Sequence, residues 1–365
     1  MAYRILHCLA RMNRGGAETL IMNIFRHIDR EKYEFCFLLN DENCDYAEEI
    51  KQLGGYIYSV PSRSSGYMLY CKLLNRFFKE HKGRFDAIHV HTSSLSSLEV
   101  FYYAKKHGIK KRIIHSHSTA QKGFIHNILH WFNKPFVTCL ATDYLACSKV
   151  AGEWLYKYSA AFDKYRIINN GIDLKTFSYN EKAREEIRGY YNIPSDSIII
   201  GHVGRFDKFK NQSFLVDVFE QYHKINASSY LIMIGIGEMQ KQIEELVIRK
   251  GISSNVVFAG LQTEVYKYLS AFDLFVFPSI FEGLPVALVE AQASGLMTIC
   301  SDKVSPEACL SDYLSQFELE KTPEEWAEYL GNLPLLDRHK YVYQLEENGY
   351  NINKTIHYLT KYIYI

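Results

Sequence analysis

Short apolar runs rich in β-branched residues alternate with longer amphipathic stretches along nearly the whole chain, and the alternation restarts once near the middle. Tyr3–Leu9, Phe35–Leu39, Ile57–Val60, Ala87–His91, Arg112–His117, Tyr144–Cys147 and Tyr165–Ile168 read as strands. Ala17–Ile28, Ala47–Leu53 and Leu95–Lys106 read as helices between them. Strands separated by helices of this length are βαβ units, and such units build a parallel sheet. From Ile198 the pattern begins again: strands Ile198–Val203, Tyr230–Ile234, Val256–Ala259, Leu274–Phe277 and Thr298–Ser301, with helices Asn211–Lys224, Glu238–Lys250, Val265–Leu269 and Val286–Ser294. The expected architecture is therefore α/β, with two doubly wound Rossmann-like domains facing each other across a cleft. Their expected bounds are 1–190 and 191–347, with Pro194 in the connection and the aromatic segment 348–365 packing back on the first domain.

Length and charge agree with that organisation and narrow the partners. A chain of 365 residues suits two domains of ordinary size. Its formal net charge of +1 gives no global field toward nucleic acid, so phosphate recognition must be local. The eight cysteines are scattered without a C-x-x-C pair, and with an apolar strand starting at Tyr3 no signal peptide is expected. A reducing, cytoplasmic setting is expected, and no run of apolar residues is long enough to span a bilayer. The 28 tyrosines and 22 phenylalanines leave two readings open: compositional drift, or an aromatic surface that meets a membrane.

Open α/β sheets bind ligands beyond the carboxyl ends of their strands, which puts the chemistry in three loops. After the first strand comes Arg11-Met12-Asn13-Arg14-Gly15-Gly16-Ala17-Glu18, where paired glycines serve either a tight turn or a close backbone approach to an anion at a helix start. The dinucleotide pattern G-x-G-x-x-G is absent. The loop Gly204–Asn211 carries Arg205 and Lys210, either surface charges or a basic pair suited to a diphosphate. Pro278–Pro285 then leads into a helix, with the amides of Gly283 and Leu284 near an anion site and Glu282 beside it. Glu290 lies farther along that helix among Val286, Ala287, Leu288, Val289 and Ala291, where a carboxylate is costly without hydroxyl or cation partners.

With these loops in place, the chain resembles the retaining GT-B glycosyltransferases of family 4. Phe281–Gly295 resembles their E-x7-E motif, Arg205 and Lys210 their basic pair, Gly15–Glu18 their N-terminal glycine loop, and Asn170-Gly171-Ile172-Asp173 their end-of-domain signature. The likeness covers nearly the whole chain and is nearest to bacterial exopolysaccharide and capsule transferases. It implies transfer of a sugar from a nucleotide-sugar, UDP-linked in first place, with retention of anomeric configuration. It further implies that Glu290 holds ribose hydroxyls and that Glu282 with the Gly283 and Leu284 amides holds the donor sugar. Gly235 and Gly237 would line the nucleotide pocket, and His117 would contact the transferred sugar. Met297 stands where the family usually has proline.

No cofactor and no metal are expected. His89/His91 and His115/His117 are spaced to share a strand face and could chelate, but no cysteine or acid in the sequence completes such a site. Asp-x-Asp, the usual metal-diphosphate signature, does not occur. Charge growing on the leaving diphosphate would then be met by Arg205, Lys210 and helix-terminus amides, with front-face attack by the acceptor. The resemblance implies a lipid-linked glycan acceptor and peripheral contact with the inner membrane. Met68–Arg84 and Phe124–Phe136 are the two segments that could lie in that interface. The competing readings are a nucleotide-sugar epimerase and a non-catalytic partner subunit.

Overall fold

The computed structural model describes all residues except Met1, 118–123, 335–337 and 339–341; of Phe124, Ile125 and Val342 it describes the backbone only. Ser118, which follows His117 in the second histidine pair, lies outside the described residues. Two compact units divide the chain: Met1–Gly171 with Ile352–Ile365, and Ile172–Asn351. The break thus falls at Gly171/Ile172 and not at the Pro194 connection. The helix Glu181–Tyr190 belongs with the second unit because its Arg184 and Arg188 both grip Asp273, at 2.7 and 2.6 Å.

The first unit holds seven parallel strands: β1 Tyr3–Cys8, β2 Tyr33–Leu39, β3 Tyr56–Ser59, β4 Ala87–Thr92, β5 Lys111–Ser116, β6 Asp143–Ala146 and β7 Arg166–Ile167. They lie in the order β3-β2-β1-β4-β5-β6-β7. Apolar cores cover both faces, which is why the strands read as continuous hydrophobic runs and not as alternating ones. On one face Ile5, Ala87, Ile113 and Leu145 pack with the helix Gly16–His27 and with Ile352, Leu359, Ile363 and Tyr364 of the C-terminal segment. Gly171 lets that segment approach: a Cβ there would sit 3.0 Å from the Ile352 Cα.

The second unit repeats the plan with β8 Ile198–Val203, β9 Ser229–Ile234, β10 Val256–Gly260, β11 Leu274–Phe277, β12 Met297–Ser301 and β13 Leu314–Phe317, in the order β10-β9-β8-β11-β12-β13. Both sheets therefore reverse direction at one point, between β1 and β4 and between β8 and β11. Ligand sites of doubly wound folds sit at that reversal.

Some local expectations need correction. The expected helix Leu95–Lys106 begins only at Glu99, because Thr92, Ser94 and Ser96 tie the preceding residues into side-chain–backbone turns. The expected strand Tyr165–Ile168 shrinks to two residues. Lys149–Tyr156 and Pro323–Gly331 are helices, and Leu314–Phe317 a strand, where the apolar pattern alone was too short to read.

Candidate functional site

In the second unit the loops following β8 and β11 meet at the sheet reversal. Asp207 accepts hydrogen bonds from the N–H groups of Phe209 and Lys210, closing the first loop on itself. Asn211 then takes a left-handed conformation (φ +56°) to start the helix Gln212–Ile225. The two loops are joined by the Ile280 N–H donating to Phe209 O at 2.8 Å and by the Asn211 amide donating to Pro278 O at 3.2 Å. Across this junction Lys210 Nζ lies 2.6 Å from Glu282 Oε1 and 4.5 Å from the centre of the Phe277 ring. The two residues that the sequence assigned to phosphate and sugar are thus paired with each other, both largely buried. Arg205 is exposed on the same loop.

The glycines of the next loop act through contact. Gly235 has φ +134°, and a Cβ there would overlap the Gly204 carbonyl; at Gly237 a Cβ would overlap the Phe206 carbonyl. The close approach lets Gly204 N–H donate to Ile234 O at 2.9 Å and Phe206 N–H to Ile236 O at 3.1 Å. Gly235 and Gly237 therefore set the position of the loop that carries Arg205.

Glu282 itself is held by a bridge to Val304, with the Ser305 N–H donating to its carbonyl at 3.1 Å. Among the described residues no backbone hydrogen bond is donated by Gly283 or Leu284. Those amides precede the helix Val286–Ala293, where the helix dipole favours an anion. Pro285 caps this helix instead of occupying its first turn, and Gly295 follows its end at φ +62°. Glu290 is half-buried on it.

Two residues that sequence reasoning passed over brace the site. Gln212 is fully buried, and its amide donates to Arg205 O at 2.8 Å while lying 3.3 Å from His202 Nε2. His202 lies 2.9 Å from Val276 O through Nδ1, so it spans β8 and β11; burial pushes its pKa down to about 4. The signal was present in principle, since a histidine and a glutamine flanked the basic loop.

In the first unit Gly15 and Gly16 are exposed at the start of the helix Gly16–His27, directly after β1. Burial raises the Glu18 carboxyl in that first turn. His117 follows β5 and is half-buried, with Nε2 2.8 Å from His91 Nδ1. The two His-x-His pairs do not stand apart: with His7 of β1 they form one cluster of five imidazoles on one sheet face. Burial pushes His7 and His117 down to about 3 and, with repulsion from neighbouring imidazoles, His89, His91 and His115 well below the usual range. His7 was missed because it stands alone in its strand.

The two candidate interface segments differ. The helix Tyr67–Glu80 buries Tyr70, Leu74, Phe77 and Phe78 in the unit's own core and exposes Lys72, Arg76 and Lys79, while its first turn also exposes Tyr67, Met68 and Leu69. The helix Phe124–Asn133 and the turn after it expose Ile128, Trp131, Phe132 and Phe136. Lys134 beneath them is buried, donates to Trp154 O and Lys157 O, and sits 4.0 Å from the Trp131 ring centre. No helix among the described residues is long and apolar enough to cross a membrane.

Comparison with known proteins adds the following. Residues 183–351 match the family described as Glycosyl transferases group 1, and residues 14–176 match Glycosyltransferase Family 4. EpsF of Bacillus subtilis (strain 168), bearing the name of a glycosyltransferase, is 33% identical over 97% of this chain and 94% of its own length. CapH of Staphylococcus aureus, a capsular polysaccharide biosynthesis glycosyltransferase, is 27% identical over 96% of each chain. The crystal structure of Anabaena HepE in complex with UDP-glucose shares the fold over 98% of each chain, with TM-score 0.78 at 15% identity.

Proposed function

Because this chain belongs to the group 1, family 4 glycosyltransferases and has their GT-B fold, we propose that it moves a sugar from a UDP-sugar, with retention, onto a lipid-linked glycan in exopolysaccharide or capsule assembly. The observation that carries the donor half is the junction of Arg205 and Lys210 with Glu282, Gly283 and Leu284 at the reversal of the second sheet. Two cations and a pair of helix-start amides meet the charge that grows on a departing diphosphate, with no metal required in that role. Lys210 then exchanges Glu282 for a phosphate oxygen when donor binds, and Glu282 becomes available to sugar hydroxyls. Glu290 is assigned to the ribose hydroxyls and His117 to the transfer itself. UDP stands first among nucleotides because HepE, of the same fold, binds UDP-glucose.

The acceptor half rests on the exposed Ile128, Trp131, Phe132 and Phe136, an apolar surface suited to the edge of a bilayer that presents a lipid-linked substrate. Purified chain incubated with labelled UDP-sugars and a polyprenyl-diphosphate-linked sugar, followed by NMR of the product anomer, tests the whole reading. A product with the donor's anomeric configuration is expected. Transfer with inversion, or conversion of the donor alone to its epimer, would overturn it.

A further inference from the structure

Five histidines converge on one face of the first sheet at its reversal. His7 comes from β1, His89 and His91 from β4, and His115 from β5, with His117 just after; residues two apart on a strand share a face. The parallel register sets His7 beside His89 and His91 beside His115. Deeper on the same face the positions are Ile5, Ala87 and Ile113, so the imidazoles stand where the apolar core ends. All but His117 are buried. Among the described residues no hydrogen bond links any of the five to a carboxylate.

Their nitrogens face one another. His91 Nδ1 is 2.8 Å from His117 Nε2, His7 Nδ1 is 3.0 Å from His91 Nε2, and His89 Nε2 is 3.3 Å from His115 Nδ1. Between two such nitrogens there must be a proton or a cation. Protons serve those three contacts but leave His7 Nε2, His115 Nε2 and His117 Nδ1 buried without a partner. Three orphaned nitrogens in one cluster are unusual.

We propose that His91, His115 and His117 form a binding site for a borderline divalent cation, zinc(II) being the reference ion, with an oxygen ligand completing its shell. One ligating atom from each of these residues lies within 4.8 Å of the others. Nitrogens in such a shell, at about 2.1 Å from the metal, stand about 3.0–3.4 Å apart. Imidazole sets select zinc, copper, nickel or cobalt over magnesium or calcium. The outer partners are also in place. With His91 Nδ1 on the metal, its Nε2–H donates to His7. With the orphaned His115 Nε2 on the metal, its Nδ1–H donates to His89, whose Nδ1 lies 3.0 Å from the Tyr364 hydroxyl. The alternative triad of His7, His89 and His91 is buried throughout, with the His7 ring packed on Phe35 and Phe37, whereas His117 in the chosen triad is only half-buried.

The test uses the full chain stripped with EDTA and titrated with zinc(II), then desalted for metal analysis, with cobalt(II) as the optical probe. The expected result is one zinc retained per chain and cobalt d–d bands without thiolate-to-metal charge transfer. Retention is lost in His115→Gln and weakened about 10–100-fold in His7→Phe, which removes only an outer partner, while exposed His357→Gln binds as wild type. Substoichiometric zinc, a thiolate band from the cysteines, or unchanged binding in His115→Gln would overturn the proposal. The wild-type spectrum decides even if a variant does not fold. UDP binding measured on the same samples reports on the second unit, so the donor reading and this one stand or fall separately.

Discussion

Replacing Gly235 with alanine separates a glycine that packs the donor loop from one that merely turns the chain. At φ +134° an L-residue occupies backbone space reserved almost wholly for glycine, at a cost of about 1–3 kcal/mol. The new Cβ also meets the Gly204 carbonyl, 2.9 Å from its carbon, and the obstacle is backbone and not a side chain that could swing away. Overpacking of that kind adds about 1–3 kcal/mol, for a total of about 2–6 kcal/mol. Gly251→Ala is the control: φ is +71° with nothing within 4 Å of a Cβ, so only left-handed strain of about 1–2 kcal/mol applies. Urea unfolding followed by Trp326, in a background with Trp131 and Trp154 changed to Phe, reads the second unit alone. Calorimetric titration with UDP reads the loop. Relief of the clash displaces the Gly204–Ile234 and Phe206–Ile236 hydrogen bonds and carries Arg205 with them, so UDP affinity falls by about tenfold or more while Gly251→Ala retains it. Equal destabilisation in the two variants, with UDP affinity kept in both, would refute the reasoning.

Asp273→Ala leaves Arg184 and Arg188 without their shared carboxylate and takes the acceptor from the Ile199 N–H, so a loss of about 3–5 kcal/mol is expected in the same Trp326 assay. On the proposed donor reading Lys210→Ala and Arg205→Ala would each remove a charged contact to phosphate, and each is expected to weaken UDP binding by about 1.5–3 kcal/mol in calorimetry without changing the fold by circular dichroism. His202 supplies a pH test. Its folded pKa of about 4 lies below the unfolded value of 6.5, so the unfolded chain gains a proton that the native chain refuses as pH falls through that window. In the Trp326 assay of the second unit, the contribution of His202 to stability is whole above pH 6.5 and is lost by up to about 3 kcal/mol toward pH 4; His202→Gln should flatten that slope, and an unchanged slope would show that the histidine does not titrate as assigned.

Most of the fold was legible because the central strands are buried on both faces and so read as unbroken apolar runs, ended by glycine or a polar loop, whereas the edge strands β3 and β7 are largely exposed. What stayed hidden depends on contacts far apart in the chain. The unit boundary could not be read from Pro194, since it is Asp273 that draws Arg184 and Arg188 into the second unit. The basic pair and the acidic loop were both visible, but their meeting follows from the β8–β11 neighbourhood, which strand order alone decides. The histidine cluster shows the same limit. His-x-His was visible on β4 and β5, while His7, alone on β1, becomes part of the cluster only through the sheet register. Likewise the basic helix Tyr67–Glu80 and the aromatic segment after Phe124 look alike as amphipathic sequence, and only burial tells that the first spends Tyr70, Leu74, Phe77 and Phe78 on the core and leaves its first turn exposed.

The central claim is that the second unit binds a nucleotide-sugar through these loops without a metal. Its most direct measurement is calorimetric titration of UDP-, GDP-, ADP- and dTDP-sugars into wild type and Glu290→Gln, with and without EDTA. Binding of a UDP-sugar that is indifferent to EDTA and lost in Glu290→Gln is the predicted result. Binding abolished by EDTA, or equal in the two proteins, would contradict it.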